Sequence, residues 1–299
     1  MRVFVTGATG FIGSAVIPEL LKAGHHVIGM TRSDIGARAL EAAGVEVHRG
    51  TLEDLDSVRL GAEKADAVIH TAFDHDFSRF LENCEKDGRV IRAMGEALKG
   101  SNRPLLITSG TGLGNAELGQ PALEDITNFD HPNPRVASEL AGNELLEAGV
   151  NVSVMRLPQV HNTVKQGLIS PLLEIARAKG VSAYVGDGSN RFPAGHLSDV
   201  ALLYRLAIER GEPGARYNAV GEEGVTTREI AEALGHGLNL PVVSIDQDKA
   251  AEHFGWMAIF AGLDFPASSV KTRRILGWNP TGPGLITDLD AMDYQNLAA

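Results

Sequence analysis

Three observations predict an α/β fold built on a doubly wound parallel sheet. Short β-branched runs alternate with longer stretches whose apolar residues recur near every 3.6 positions, and the strand runs are apolar throughout rather than alternating. A glycine-punctuated turn also follows the first run, the usual signature of a strand handing over to a helix beneath a ligand. In order, RVFVT (2–6), HVIGM (26–30), VEVH (45–48), ADAVIH (65–70), PLLITS (104–109) and VSVMRL (152–157) read as strands. Phe11, Ala15, Val16, Leu20 and Leu21 mark one intervening helix, and Val90, Met94, Ala97 and Leu98 another. After Leu157 the rhythm breaks. PQVHNTVKQG reads as loop, 169–178 as helix, and SAYVGDGSNRFPAGH as a Gly- and Pro-punctuated connection. A helix at 196–210 and the strand ARYNAV (215–220) return to the sheet, and helices follow at 227–236, 246–254, 268–276 and 284–295. The chain thus divides into a sheet domain, 1–160 plus 195–220, and a smaller C-terminal lobe, 161–194 plus 221–299, packed over the strand ends.

Bulk composition narrows the function. A formal net charge of −11, with 27 Lys and Arg scattered among 38 acids, argues against a nucleic-acid groove. The single cysteine, Cys84, forbids an intramolecular disulfide and suits a reducing compartment; its spacing in an apolar helix reads as packing. No secretory h-region and no run of eighteen apolar residues occurs, so a cytoplasmic protein without a membrane span is expected. Ten histidines and one cysteine show no metal-ligand spacing, and no metal is expected.

The turn is Thr6-Gly7-Ala8-Thr9-Gly10-Phe11-Ile12-Gly13, a G-x-x-G-x-x-G string between strand and helix. Gly7 permits the tight turn, Gly10 lets a pyrophosphate approach the backbone, and Gly13 lets helix and strand pack closely, so the phosphates rest on the helix's unpaired N–H groups. The second strand ends in Thr31-Arg32-Ser33. A cation with flanking hydroxyls suits a 2′-phosphate, whereas an acid would suit a free ribose, so NADP is expected over NAD, with Asp34 as the residue that argues for NAD.

At this point the chain resembles the extended short-chain dehydrogenase/reductases, in their NAD-dependent epimerase/dehydratase-like branch. GATGFIG (7–13), AVIHTAF (67–73), ITSGTGLG (107–114), MRLPQVHN (155–162), GDGSNRFPAGHLSDVA (186–201) and LGWNP (276–280) carry the resemblance in order. It implies that Thr71, Ala72 and Phe73 flank the cofactor, that Pro158 and Val160 lie beside the nicotinamide, and that Ser109, with Thr111 as second candidate, orients a substrate oxygen. It also implies a Tyr-x-x-x-Lys pair, and none occurs. In the helix PRVASELAGNELLEAG, Arg135 stands at the tyrosine position and Glu139 at the lysine position. The bland expectation for the two is an exposed i,i+4 ion pair. Alternatively Arg135 holds a developing oxyanion, since its pKa bars it from donating a proton.

Three sources of the missing proton are open: a histidine (His161 beside the presumed nicotinamide loop, His131 or His75), water held by Ser109, or none, where Asp74, Asp76 or Glu139 would steady a cationic substrate. The cluster Trp256, Met257, Ile259 and Phe260 reads as lobe core or subunit interface before substrate pocket. The function expected is an NADP(H)-dependent oxidoreductase reducing a small to medium apolar carbonyl or imine. A sugar-nucleotide epimerase or dehydratase and a non-catalytic NADP(H)-binding sensor are the alternatives; a homodimer is the candidate assembly.

Overall fold

Seven parallel strands form the central sheet of the computed structural model, which describes residues 1–117 and 119–295. They are β1 (Arg2–Thr6), β2 (His26–Thr31), β3 (Glu46–Arg49), β4 (Ala67–His70), β5 (Leu105–Gly110), β6 (Val152–Leu157) and, later in the chain, β10 (Arg216–Asn218). Helices α1 (Gly13–Lys22), α2 (Asp34–Ala42), α3 (Leu55–Glu63), α4 (Phe80–Leu98) and α5 (Val136–Glu147) connect the first six. The strands lie in the order β3-β2-β1-β4-β5-β6-β10. Successive strands are added outward in opposite directions from β1 and from β4, so their crossovers leave on opposite faces and a crevice opens above the two carboxyl ends. The doubly wound sheet expected from the apolar strand runs is present; β1, β2, β4, β5 and β6 are buried on both faces as those runs require, while the edge strand β3 stays partly exposed.

On one face Val16, Ile17 and Leu20 of α1 pack with Leu203 and Tyr204 of α7 (Leu197–Arg210); on the other Val58, Val90, Ile91, Met94, Ala141 and Leu145 close the core. Cys84 is buried in α4, and burial pushes its thiol up to about 11, in keeping with a packing residue.

The C-terminal lobe holds more sheet than its punctuation suggests. Strands β7 (Gln159–His161), β9 (Arg191–His196) and β11 (Glu222–Thr226) form one small sheet, and β8 (Ser182–Val185) pairs with β12 (Val242–Ile245). Residues 182–196, expected as a connection, therefore supply two strands. Each is short and gains its register from partners distant in sequence, which local pattern does not reveal. Around them lie α6 (Ile169–Lys179), α8 (Thr227–Leu238), α9 (Ala250–Phe254), α10 (Ala258–Ala261), α11 (Val270–Leu276) and α12 (Leu285–Asp290). The helix expected over 284–295 stops at Asp290. Leu276 and Trp278 join the sheet-domain core, and Trp278 Nε1 donates to the Asp199 carbonyl at 2.9 Å, so this stretch of the presumed lobe folds back onto the sheet domain. Among the described residues no helix is long and apolar enough to cross a membrane.

Candidate active site

The crevice floor begins at the glycine turn. Gly7 has φ +66°, and a Cβ there would lie 2.7 Å from the Ala72 nitrogen. One at Gly13 would lie 2.2 Å from the Gly7 carbonyl. Both positions are closed to any side chain, which brings the start of α1 directly under the crevice. The helix itself begins at Gly13 rather than Phe11, leaving Gly10 exposed and Phe11 and Ile12 half-buried in the turn. Thr9 is exposed and lies beside the β2–α2 step: a Cβ on Gly36 would be 3.2 Å from Thr9 Cγ2.

At that step the three residues expected to meet a 2′-phosphate separate. Thr31 is buried, with its hydroxyl accepting from the Ser33 N–H at 3.4 Å. Ser33 is exposed and caps α2, accepting from the Gly36 N–H at 3.0 Å, which leaves its own O–H free to donate. Arg32 is exposed and has no hydrogen bond or ion pair among the described residues. Asp34, the residue that favoured NAD, is salt-bridged by Arg49.

Beneath the crevice runs a buried polar chain that no local pattern announced. Thr6 Oγ1 meets His70 Nδ1 at 2.6 Å, and His70 Nε2 meets Asp87 Oδ1 at 3.0 Å. Asp87 Oδ2 accepts from Arg135 Nη1 and from the Ser138 hydroxyl, both at 2.6 Å. Thr6 therefore ties β1 to β4 with its side chain and does not present it to a cofactor. Arg135 also donates from Nη1 to Ser138 Oγ (2.7 Å) and from Nη2 to the Thr108 carbonyl (2.9 Å), and its guanidinium sits 4.1 Å above the Phe73 ring.

Two expectations are corrected here. Arg135 and Glu139 do not pair with each other, and Arg135 has its terminal nitrogens committed to protein acceptors, so it is no free oxyanion holder. It aims back across the strand ends because α5 starts beside α4, where Asp87 falls on the buried stripe of Val90, Ile91 and Met94. A carboxylate at a core position of an amphipathic helix is the signal that reveals it. Glu139 is fully buried and binds Arg156 bidentately at 2.7 and 2.8 Å and Arg216 at 3.0 Å.

Burial by itself would raise the Asp87 pKa, but the charges of Arg135 and His70 and the hydrogen bonds it accepts outweigh that and hold the carboxyl well below the usual range. A depressed folded-state pKa contributes stability that is present above the unfolded value, about 4, and lost as the pH falls below it. Wild type is accordingly expected to lose urea resistance steadily below about pH 4, and Asp87→Asn, already weaker at pH 7, to show a flatter acid limb. Parallel profiles for the two proteins would refute this.

Ser109 is the penultimate residue of β5 and is buried, yet its Oγ has no hydrogen-bond partner among the described residues. Thr111 is also buried, in the short turn that follows. Under Ser109, the Thr108 hydroxyl donates to the His70 carbonyl at 2.6 Å and takes the Tyr204 O–H at 2.7 Å. Burial raises the Tyr204 phenol, so it is no acid for the site. Thr71 Oγ1 donates to the Thr6 carbonyl (2.8 Å), and Thr71, Ala72 and Phe73 line the crevice half-buried. Pro158 is half-buried and Val160 belongs to the sheet-domain core.

The histidines fall in different places. His161 lies in β7 rather than a loop; it is buried, with Nδ1 on Asp288 Oδ2 at 2.6 Å and its ring edge-on to His196. Desolvation, only partly offset by Asp288, holds it below the ordinary histidine pKa. His131 accepts from the Asn133 N–H at 3.0 Å ahead of α5. His75 donates Nδ1–H to the Phe73 carbonyl at 3.1 Å, which leaves Nε2 as its open nitrogen. Desolvation among its aromatic neighbours, with the Arg135 and Lys165 charges adding to it, lowers its pKa. Lys165, missed in the sequence because it sits in a featureless loop, lies 5.7 Å from the Phe11 ring centroid. Asp74 is bound by Lys86 at 2.8 Å and Asp76 caps the turn at Ser78, so neither acid is free to steady a cation.

A doubly wound sheet, a turn whose Gly7 and Gly13 admit no Cβ, and a buried hydroxyl on β5 with no partner among the described residues are the features of a nucleotide-binding α/β fold. Residues 3–220 match the family model described as NAD dependent epimerase/dehydratase, and the chain belongs to that family, within the extended short-chain dehydrogenase/reductases that its motifs resemble. Over 298 residues it is 45% identical to uncharacterized protein C2A9.02 of Schizosaccharomyces pombe, covering 98% of this chain and 100% of the relative. It is 28% identical to 2-alkyl-3-oxoalkanoate reductase of Stenotrophomonas maltophilia, over 81% of this chain and 77% of the relative. The fold is shared with UDP-glucose 4-epimerase of Thermus thermophilus, solved with NAD, at 23% identity and a TM-score of 0.75 over 98% and 97% of the two chains.

Proposed function

We propose that the chain is an NADP(H)-dependent oxidoreductase that reduces an apolar carbonyl compound in the crevice. The observation that carries this reading is Ser109, a buried hydroxyl near the end of β5 with no partner among the described residues. Burying a hydroxyl unpaired is costly, and a ligand oxygen would relieve that cost. The residues present fit a dinucleotide: the turn from Gly7 to Gly13 would hold the pyrophosphate, Arg32 and Ser33 the 2′-phosphate, Thr71 to Phe73 the flank, and Pro158 the nicotinamide side. When bound, the cofactor supplies hydride at its nicotinamide ring. Ser109 donates its O–H to the substrate oxygen and fixes its orientation. Arg135 acts as a positioning residue, clamping Phe73 against the Thr108 carbonyl. Solvent water provides the proton, with the open Nε2 of His75 as the titratable relay at the mouth.

A sugar-nucleotide substrate is poorly served by Arg191, whose charge a diphosphate would need but which is neutralised by a bidentate pair with Asp264 at 2.9 and 2.8 Å. Transient oxidation of a sugar hydroxyl also calls for a base where Arg135 stands.

Two measurements test the reading. Purified protein should consume NADPH against a panel of apolar ketones and aldehydes; tight NADPH binding with no turnover across the panel would favour a cofactor sensor instead. Arg32→Glu should weaken NADPH about tenfold to a hundredfold by calorimetry while leaving NADH nearly unchanged, the loss of one charge-assisted phosphate contact plus repulsion. Equal losses for both cofactors would defeat the 2′-phosphate assignment.

A further inference from the structure

The aromatic side chains around the crevice form one connected wall. Phe73, beneath the Arg135 guanidinium, meets His75 edge-on at 5.2 Å and Phe80 at 6.2 Å. Phe77 meets Phe80 at 5.5 Å, and its other neighbour comes from the opposite lobe: Phe77 and Trp256 are stacked, centroids 4.5 Å apart and planes within 14°. Both sit in single 3₁₀ turns, Phe77–Arg79 after β4 and Gly255–Met257 between α9 and α10. Gly255 has φ +56°, open to glycine, and the turn it makes buries Met257 while leaving Trp256 42% exposed. A core residue would be covered throughout; this indole is stacked on Phe77, meets Phe260 edge-on at 6.3 Å and remains accessible at the seam between the lobes.

We propose that Phe77 and Trp256 are the specificity-determining wall of the substrate site and that the substrate is a carbonyl compound conjugated to a planar aromatic ring. The inference rests on the reductase reading for the carbonyl and on this stack for the ring. Stacked faces reward a planar π system over a saturated ring of the same size. Arg135, beside the wall, is neutralised by Asp87 at 2.6 Å and does not by itself call for an anionic group.

The test compares acetophenone with cyclohexyl methyl ketone, the same carbonyl with and without a π face, in the full chain with NADPH. The ratio of their kcat/KM values, taken relative to wild type, cancels their intrinsic reactivities. Trp256→Ala and Phe77→Ala should each lower the aryl-to-cyclohexyl ratio about three- to tenfold, and Trp256→Phe should retain it. A ratio unchanged within about twofold in both alanine variants overturns the proposal. Should neither ketone turn over, the wider ketone and aldehyde panel decides the reductase reading, and saturation-transfer NMR of acetophenone on the protein with NADP⁺ still decides the wall. Signal lost in Trp256→Ala upholds it, and equal signal in wild type and variant overturns it.

Discussion

Glu139→Ala is expected to lower folding stability by about 3–5 kcal/mol, because it leaves Arg156 buried without its anion. Arg156 has no exposed surface; it uses Nε and Nη2 on Glu139, Nη1 on the Leu123 and Ile126 carbonyls at 3.1 and 2.8 Å, and Nη2 also on Thr127 at 3.1 Å. It thereby ties β6 to the segment that follows β5, so the loss should be global rather than local. Burial alone would raise the Glu139 pKa, but Arg156 and then Arg216 outweigh it and keep the carboxyl ionised. Glu139→Gln, which retains the shape and some hydrogen bonding, should fall between wild type and alanine. Urea unfolding at pH 7 measures all three. Glu139 stands where the family's lysine would, so a catalytic role makes the opposite forecast: activity lost at unchanged stability. An alanine variant within about 1 kcal/mol of wild type would overturn the structural assignment.

The same residue shows where sequence reasoning reaches and where it stops. The sheet domain was legible because its signals are local: apolar runs of four to six residues, the glycine turn, and Ser109 at a strand end all declare themselves within a few positions. Glu139 and Arg135 were legible as departures from a motif, yet the expected i,i+4 pair was wrong, since their partners lie across the fold at Arg156, Arg216 and Asp87. Helical spacing says which side chains could meet; it does not say which nearby charge outcompetes them once desolvated. The lobe was the least legible part. β7, β8 and β9 draw their pairing from partners far along the chain, and the stacking of Phe77 on Trp256 joins residues with no shared pattern. Trp256 and Met257, adjacent in an apolar cluster, end in opposite surroundings, one exposed and one buried, because Gly255 turns the chain between them and α9.

Ser109→Ala should lower kcat for carbonyl reduction about 10²- to 10³-fold, the range found when one preorganised donor to a developing oxyanion is removed. The argument is geometric. Ser109 Oγ is buried and unpartnered, whereas the hydroxyls around it are committed: Thr108 to the His70 carbonyl, Ser138 to Asp87, Tyr204 to Thr108. It is an open donor near the strand end, with the Thr111 hydroxyl two residues on also free of any hydrogen bond among the described residues, and with Arg135 locked against Asp87 that guanidinium does not substitute for it. Removing an unpaired hydroxyl should leave stability unchanged or slightly higher, and NADPH affinity within about twofold, since neither depends on it. The effect should therefore fall on kcat with little change in cofactor binding, which separates a donor to the substrate from a residue that shapes the cofactor site. Ser109→Thr, if the extra methyl is accommodated, restores part of the rate. A serine-to-alanine variant with wild-type kcat would move the substrate oxygen away from β5, to Thr111 or to water, and with it the centre of the proposed chemistry.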